Sequence, residues 1–407
     1  MRVLIPDGLQ RNIIAAIDSM TKNGITVDIA IPTSNIKKGN SFLRKVFFTT
    51  MSRGVSKNFE IPSPFDGVSE YVEAILKIIS NEPYDIVMPF THGAVAACCH
   101  AKDQIETYSK LTFPDFETFL LFHDKWKTYE LCKKTQVPSP RTWKPHDQDE
   151  LCQLANEISF PAVVKIQMGC GIARGVRVAE KKDELMEKYT SLSTQPSFSF
   201  LDNFETPIIQ EFIEGPIHDV VGLFNDGEPL AIMSQKRVLT YPIDGGTGSV
   251  NETTYEPRII EYACRLMKAA GWTGPAMCEF KKRGENDYFL LEVNPKFWGT
   301  LDLAISSGLD VPTMTANLFF NGNVKPIKEY NVGLLYRWSL SDEIKSLLQY
   351  TSRSKAFLEY IQRTFRCNKT SECKFSKPLR SFFTLYSTLR TFRGTDLRKQ
   401  TLRNKRD

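Results

Sequence analysis

Cysteine is sparse and unpatterned: nine residues, no Cys-x-x-Cys, and one close pair, Cys98-Cys99, beside Ala96-Ala97 in an apolar stretch. This excludes a disulfide-stapled scaffold and reads as reduced core thiols rather than zinc or iron–sulfur ligands. Long apolar runs are missing. Val332 to Leu340 is broken by Gly333, Arg337 and Ser339, well short of the roughly 18 residues a spanning helix needs, so integral membrane insertion is not expected. No Gly-x-Gly-x-x-Gly follows the first strand-like run, and Pro6-Asp7-Gly8 reads as a structural turn rather than a dinucleotide fingerprint. Charge of either sign is only slightly in excess, 52 Lys and Arg against 47 Asp and Glu. The run Arg2 to Ile5 leaves no room for a secretory leader, so a cytoplasmic location is expected, with a peripheral membrane location left open. What is present is a 407-residue chain, 42% apolar, long enough for two or three domains. Disorder and collagen are excluded.

The small net charge of +5 is unevenly placed. Lys374 to Asp407 holds ten Lys or Arg and two Asp, net +8, which leaves the preceding body at about −3. From Pro378 to Phe392, Leu379, Phe382, Phe383, Tyr386, Leu389 and Phe392 recur mostly at three- and four-residue steps beside Arg380, Arg390 and Arg393. This predicts a basic amphipathic helix. Packing on the protein's own body is the preferred expectation, ahead of contact with an anionic membrane surface or a protein partner. Nucleic-acid binding is disfavoured because no recognised module accompanies the charge. A homodimer is left open.

Strand, helix and strand are expected at 2–5, 10–23 and 26–31, followed by a helix over 68–80 and a buried strand at 84–89. Thr91-His92-Gly93 then opens a helix at the ligand-facing end of that strand, so His92 is expected either to line a pocket or to cap the helix. A helix from Asp124 to Lys134 is stopped by Val137-Pro138-Ser139-Pro140. Phe160 to Ile166, the turn 169–175 and Val176 to Val178 read as a hairpin with a glycine-rich tip, unlike the strand-loop-helix of a P-loop. Further strands are expected at 207–213, 220–225, 229–234, 276–280 and 288–293, with a helix over 256–270 capped by Gly271. The fold class is α/β followed by α+β.

The most specific constellation is Glu279 on one strand with Glu292 and Asn294 on the next. Residues 292 and 294 lie on one side of an extended chain, where a carboxylate and an amide oxygen can converge on a hard cation. Glu279 joins them only if hairpin partners have residue numbers summing to an odd value, for example about a centre between Glu285 and Asn286. Taken singly, each glutamate reads as a solvent-facing strand residue.

Asp124-Lys125, Val137 to Pro140, Phe160 to Lys165 with its glycine flap, Gln210 to Gly215, Gly271 to Pro275 with Glu279, and Leu291 to Lys296 occur in the order found in the ATP-grasp superfamily. The chain resembles that superfamily from Met1 to about Asn323, in the branch with a pre-ATP-grasp α/β domain like that of biotin carboxylase and carbamoyl-phosphate synthase. The resemblance implies domains at 1–115 (pre-ATP-grasp), 116–205 (small subdomain with the flap), 206–325 (large subdomain with the metal site) and 326–407 (extension with the basic helix). It implies that Lys125, Lys165 and the amides around Gly169, Gly171 and Gly175 hold ATP phosphates. Glu211, Phe212 and Ile213 would hold adenine, with Glu214 or His218 near the ribose. Glu279, Glu292 and Asn294 would bind Mg²⁺, or Mn²⁺ in its place. Arg237 and Lys296 would steady the phosphoryl group or a carboxylate; many relatives have Arg where Lys296 stands, and Lys offers a point charge rather than a fork. For Arg237 an ordinary surface charge is the alternative. The implied activity is ATP-dependent carboxylate-amine ligation through an acyl phosphate, forming an amide and releasing ADP and phosphate. The alternatives are an ATP-dependent carboxylase or carboxyphosphate-using synthase, and a non-catalytic ATP-binding or peripheral membrane protein.

Overall fold

Val3, Leu4 and Ile5 are apolar on both faces of strand β1 (Arg2–Ile5) and fully shielded from water, the pattern of a central strand covered by helices on both sides. Beside it lie β2 (Thr26–Pro32), β3 (Val55–Ile61), β4 (Ile86–Val87) and β5 (Lys110–Leu111), in the order β3-β2-β1-β4-β5, every pairing parallel. The chain leaves β1 toward β2 on one side and returns through β4 on the other. The ends of β1 and β4 therefore flank a topological switch point, where open sheets take their ligands. In this computed structural model the described residues are 1–33, 50, 53–169, 175–193, 206–243, 246–350, 352–366, 368–373 and 377–394.

A second, antiparallel sheet has the order β6-β9-β7-β8, from β6 (Thr142–Trp143), β7 (Ala162–Lys165), β8 (Val176–Ala179) and β9 (Ile208–Glu211). The helices Gln148–Glu157 and Lys182–Ser193 bury Leu151, Ala155, Leu185 and Leu192 with Ala162, Val164 and Ile209 in a separate small core. The expected glycine-tipped hairpin is the β7–β8 pair, with Lys165 opposite Val176.

The third sheet has seven strands in the order β14-β13-β10-β11-β12-β15-β16: β10 (Ile217–Asn225), β11 (Glu228–Tyr241), β12 (Thr247–Thr254), β13 (Gly274–Arg283), β14 (Asp287–Asn294), β15 (Leu335–Arg337) and β16 (Lys369–Ser371). β10 and β11 are joined at Asp226-Gly227, both at positive φ (49° and 77°), the mirror-image turn whose twist suits a hairpin. Gly227 is also obligatory for space, since a Cβ there would lie 2.4 Å from the Lys268 backbone. β15 and β16 lie beyond residue 325, so the C-terminal segment completes this sheet. One apolar core joins the first sheet to the third and encloses Trp272, Trp298 and Trp338.

The helix Pro378–Gly394 forms where the basic periodicity places it. Phe383 and Thr388 are buried against the body, and Lys377 and Arg380 both reach Asp18 of the helix Arg11–Lys22. On the outer side Leu379, Phe382, Tyr386 and Leu389 are 62%, 59%, 41% and 52% exposed. All seven described cysteines are free, with Cys98 and Cys99 buried in the helix His92–His100. Among the described residues no helix is long and apolar enough to cross a membrane.

Candidate active site

The three sheets meet around a cavity of about 810 Å³. One end is lined by Val163, Gln210, Glu211, Phe212, Ile213 and Leu291, a mostly apolar slot at the join between the second and third sheets. The Arg141 backbone N–H and Nε donate to Glu211, at 3.3 and 3.2 Å, fixing that carboxylate at the slot's mouth.

Asp124 caps the helix Lys125–Thr135 by accepting from the N–H groups of Trp126 and Lys127, and its other oxygen accepts from Gln167 Nε2 at 2.9 Å. The Lys125 N–H donates to Gln167 O at 3.0 Å, so the start of this helix is stitched to the strand end that carries the flap. Lys125 Nζ in turn donates to Gly169 O at 2.9 Å. Lys165 is buried beside it, and burial pulls its ammonium below the ordinary value although Glu292 and Glu279 favour the charge.

The floor is a row across four strands of the third sheet: Glu292 opposite Glu279, Glu279 opposite Asp219, and Asp219 opposite Gln235. Arg237 joins the row from β11, donating to Asp219 Oδ1 at 2.7 Å and also to Glu279. The glutamates respond oppositely. Burial, with repulsion from Glu292 and Asp219, pushes the Glu279 carboxyl up to about 7 despite Arg237. Burial also opposes ionisation of Glu292, yet Lys125 and Lys165, with Asn294 Nδ2 donating at 3.3 Å, hold it below the usual carboxylate range. Two carboxylates forced together, one short of full ionisation, form a donor set that a hard dication relieves. Among the described residues no group of three or more His, Cys, Asp or Glu is arranged to hold a metal; the residues of this row that could hold a cation are the two carboxylates with the Asn294 amide.

At the other end the strand termini of the first sheet converge: Asp7 after β1, Pro32 closing β2, Ser63 to Phe65 after β3, and Phe90 to His92 after β4. Thr91 caps the helix and His92 is its first residue, so the two roles open to His92 divide between neighbours. The His92 ring stacks on His123 at 4.4 Å; burial and then His123, Lys296 and Lys125 push its imidazole well below the usual range. Arg11 reaches across to Asp342 at 2.6 Å and Gly299 O at 2.8 Å and stacks over Trp338, tying the C-terminal segment to this end. Asp342 and Lys345 line the wall.

The cavity brings together Lys125, Lys165, Gly169, Gly175, Glu211, Phe212, Ile213, Arg237, Glu279, Glu292, Asn294 and Lys296. Arg237 is not a surface charge, its side chain being 8% exposed. His218 is a correction. Alternation along β10 sends Ile217 and Asp219 into the cavity and His218 to the opposite face, where its ring meets Tyr288 at 5.6 Å. Glu214 is exposed and outside the lining. Gly171 lies outside the described residues. Asp7, Arg11, Asp219, Leu291 and Asp342 were missed as site residues; for Asp219 the available signal was the same two-residue alternation.

A family model described as "ATP-grasp in the biosynthetic pathway with Ter operon" matches residues 203–339, the span of the third sheet through β15. Biotin carboxylase from Campylobacter jejuni, solved as a complex with β,γ-ATP, superposes with a TM-score of 0.65 at 17% identity over 82% of this chain and 74% of that one. The chain carries the ATP-grasp fold. It also superposes on L-amino acid ligase from Bacillus licheniformis, with a TM-score of 0.57 at 17% identity over 80% of this chain and 77% of the other. In sequence it is 24% identical over 256 residues to the carbamoyl phosphate synthase large chain of Thermus thermophilus, covering 59% of this chain. It spans only 23% of that relative's length.

Proposed function

We propose that this ATP-grasp protein is an ATP-dependent ligase that activates a small-molecule carboxylate as an acyl phosphate and joins it to an amine, an amino acid being the favoured class. The observation that carries the reading is the half-buried pairing of Glu279 with Glu292, in the field of Lys125 and Lys165, between an apolar slot and the polar end of the cavity. ATP with Mg²⁺, or Mn²⁺, supplies a transferable phosphoryl group and neutralises its charge. Glu279, Glu292 and Asn294 would hold the cation, Lys125 and Lys165 the phosphates, and the amides at Gly169 and Gly175 the closing flap. The Glu211 to Ile213 segment and Leu291 would enclose the base. Arg237, fixed by Asp219, and Lys296 would orient the substrate carboxylate for in-line attack. The first sheet supports a unit at 1–115, while the second sheet takes in β9 (Ile208–Glu211) and so runs past the 205/206 boundary expected between the two subdomains; 326–407 contributes to the last sheet and to the acceptor pocket.

An ATP-dependent carboxylase is the second reading, favoured by the likeness to biotin carboxylase and the carbamoyl phosphate synthase chain. Phosphate release measured with ATP, Mg²⁺ and pairs of carboxylates and amines separates the two. Release that requires both members of a pair is expected; release driven by bicarbonate alone would transfer the assignment to carboxylation, and tight ATP binding without turnover would favour a non-catalytic role. The outward stripe of the basic C-terminal helix suits contact with an anionic membrane surface.

A further inference from the structure

Six carboxylates line the cavity: Asp7, Glu211, Asp219, Glu279, Glu292 and Asp342. Five lie with cationic side chains. Asp219 and Glu279 are tied to Arg237, Asp342 to Arg11 and Lys345, and Glu211 to Arg141, while Glu292 sits in the field of Lys125 and Lys165. Asp7 is held differently. It is 2% exposed, and its Oδ2 accepts from the backbone N–H groups of Phe90 at 2.6 Å and Thr91 at 3.2 Å, while Oδ1 accepts from the Thr91 hydroxyl. These donors fix the carboxylate on the acceptor wall, at the switch point between β1 and β4.

The charged and titratable groups facing Asp7 are Lys296 beyond the end of β14, Tyr71 of the helix Val68–Asn81 and Cys98 of the helix His92–His100. Burial drives the Tyr71 hydroxyl and the Cys98 thiol well above their ordinary ranges, so both stay neutral near pH 7. Burial pushes the Asp7 carboxyl up to about 6, against its three donors and Lys296. His92, the other candidate base on this wall, is too weakly basic, for the reasons given above.

We propose, building on the ligase reading, that Asp7 is the base that accepts the proton of the attacking amine. The amine nitrogen bonds to the carbonyl carbon of the acyl phosphate, and the carbon–oxygen bond to phosphate breaks with its electron pair leaving on phosphate. The N–H proton passes to the Asp7 carboxylate and then to water in the cavity. A carboxylate titrating near the working pH suits this transfer.

The test uses the full chain with ATP, Mg²⁺ and a carboxylate–amine pair active in the release assay, against hydroxylamine as a substitute acceptor. Hydroxylamine is largely unprotonated near neutrality and traps acyl phosphates without a base. Asp7→Asn is expected to keep hydroxamate formation within about twofold while amide formation falls on the order of 10²-fold. The rise in kcat/KM for the amine near pH 6 should also disappear, the amine's own ionisation being common to both proteins. Thr91→Val, which retains Asp7 but removes one donor to its ionised form, should move that inflexion upward. Equal loss of hydroxamate and amide, undiminished amide formation, or an unmoved inflexion in Thr91→Val would overturn the assignment. A wild-type protein that makes no hydroxamate contradicts the ligase reading itself, whereas an unimpaired Asp7→Asn contradicts only the role of Asp7.

Discussion

Glu279 and Glu292 are the same residue type on adjacent strands, directly opposite one another, yet their carboxyls shift in opposite directions. The difference lies in the balance of neighbours: burial with Glu292 and Asp219 outweighs an Arg237 that Glu279 shares with Asp219, while Lys125 and Lys165 outweigh burial at Glu292. Glu292 therefore carries the fuller negative charge, and its removal is expected to be the more damaging. Glu292→Gln, nearly isosteric, should retain the fold and lower kcat on the order of 10²–10³-fold, the scale of losing one electrostatic contact in a desolvated site; steady-state rates with thermal melting as a control would show it. Near-normal rates would remove Glu292 from the cation set. At this scale the Glu292 and Asn294 pair was legible from its two-residue spacing, whereas Lys125, Lys165 and Arg237 were placed by the resemblance to the ATP-grasp superfamily. His218 and Asp219 show where it was not. Both are polar neighbours on one strand, and only the face that strand presents decides between them.

Among the elements, the β13–β14 hairpin sets the geometry. Near its turn, Arg283 faces Asp287 and Phe280 faces Leu290, pairs whose numbers sum to an even value; at the site Met277 faces Asn294 and Glu279 faces Glu292, and the sum is odd. A bulge at Leu291 makes the change. With the turn-side register continued, Glu279 would face Leu291 and Glu292 would point to the opposite side. Leu290 is buried away from the cavity while the successive residues Leu291 and Glu292 both line it, so the bulge also adds an apolar wall to the slot. Leu291→Ala should raise the ATP KM about tenfold with kcat little changed, the size expected for the apolar area removed; an unaltered KM would take Leu291 out of the base pocket. The strands of this hairpin were legible from their apolar residues, but the bulge was not, since it depends on how a three-residue connection, Gly284-Glu285-Asn286, seats between them. The helix Phe116–His123 was also missed. Its sequence, FETFLLFH, is apolar on nearly every side, so it shows no helical period.

For the whole molecule, the basic tail and acidic body proved to be joined rather than separate. Lys377 and Arg380 seat the last helix on Asp18, β15 and β16 extend the third sheet, and Arg11 bridges from the first domain to Asp342. Packing on the body is the outcome preferred from sequence. The surface left over is more apolar than that outcome alone requires, because only Phe383 and Thr388 of this helix are buried while Leu379, Phe382, Tyr386 and Leu389 are exposed. Replacing Phe382 and Leu389 with Glu should abolish sedimentation with vesicles containing anionic lipid while leaving the melting temperature unchanged. Continued sedimentation, or none by the wild type, would remove the membrane reading and leave the site untouched.

The central claim is that a substrate carboxylate attacks the terminal phosphoryl group. A carboxylate labelled with ¹⁸O in both oxygens, turned over to completion with ATP and its amine partner, tests it directly by mass analysis of the released phosphate. One ¹⁸O atom in each phosphate is the expected result. Phosphate carrying no label would contradict the acyl phosphate and with it the ligase assignment.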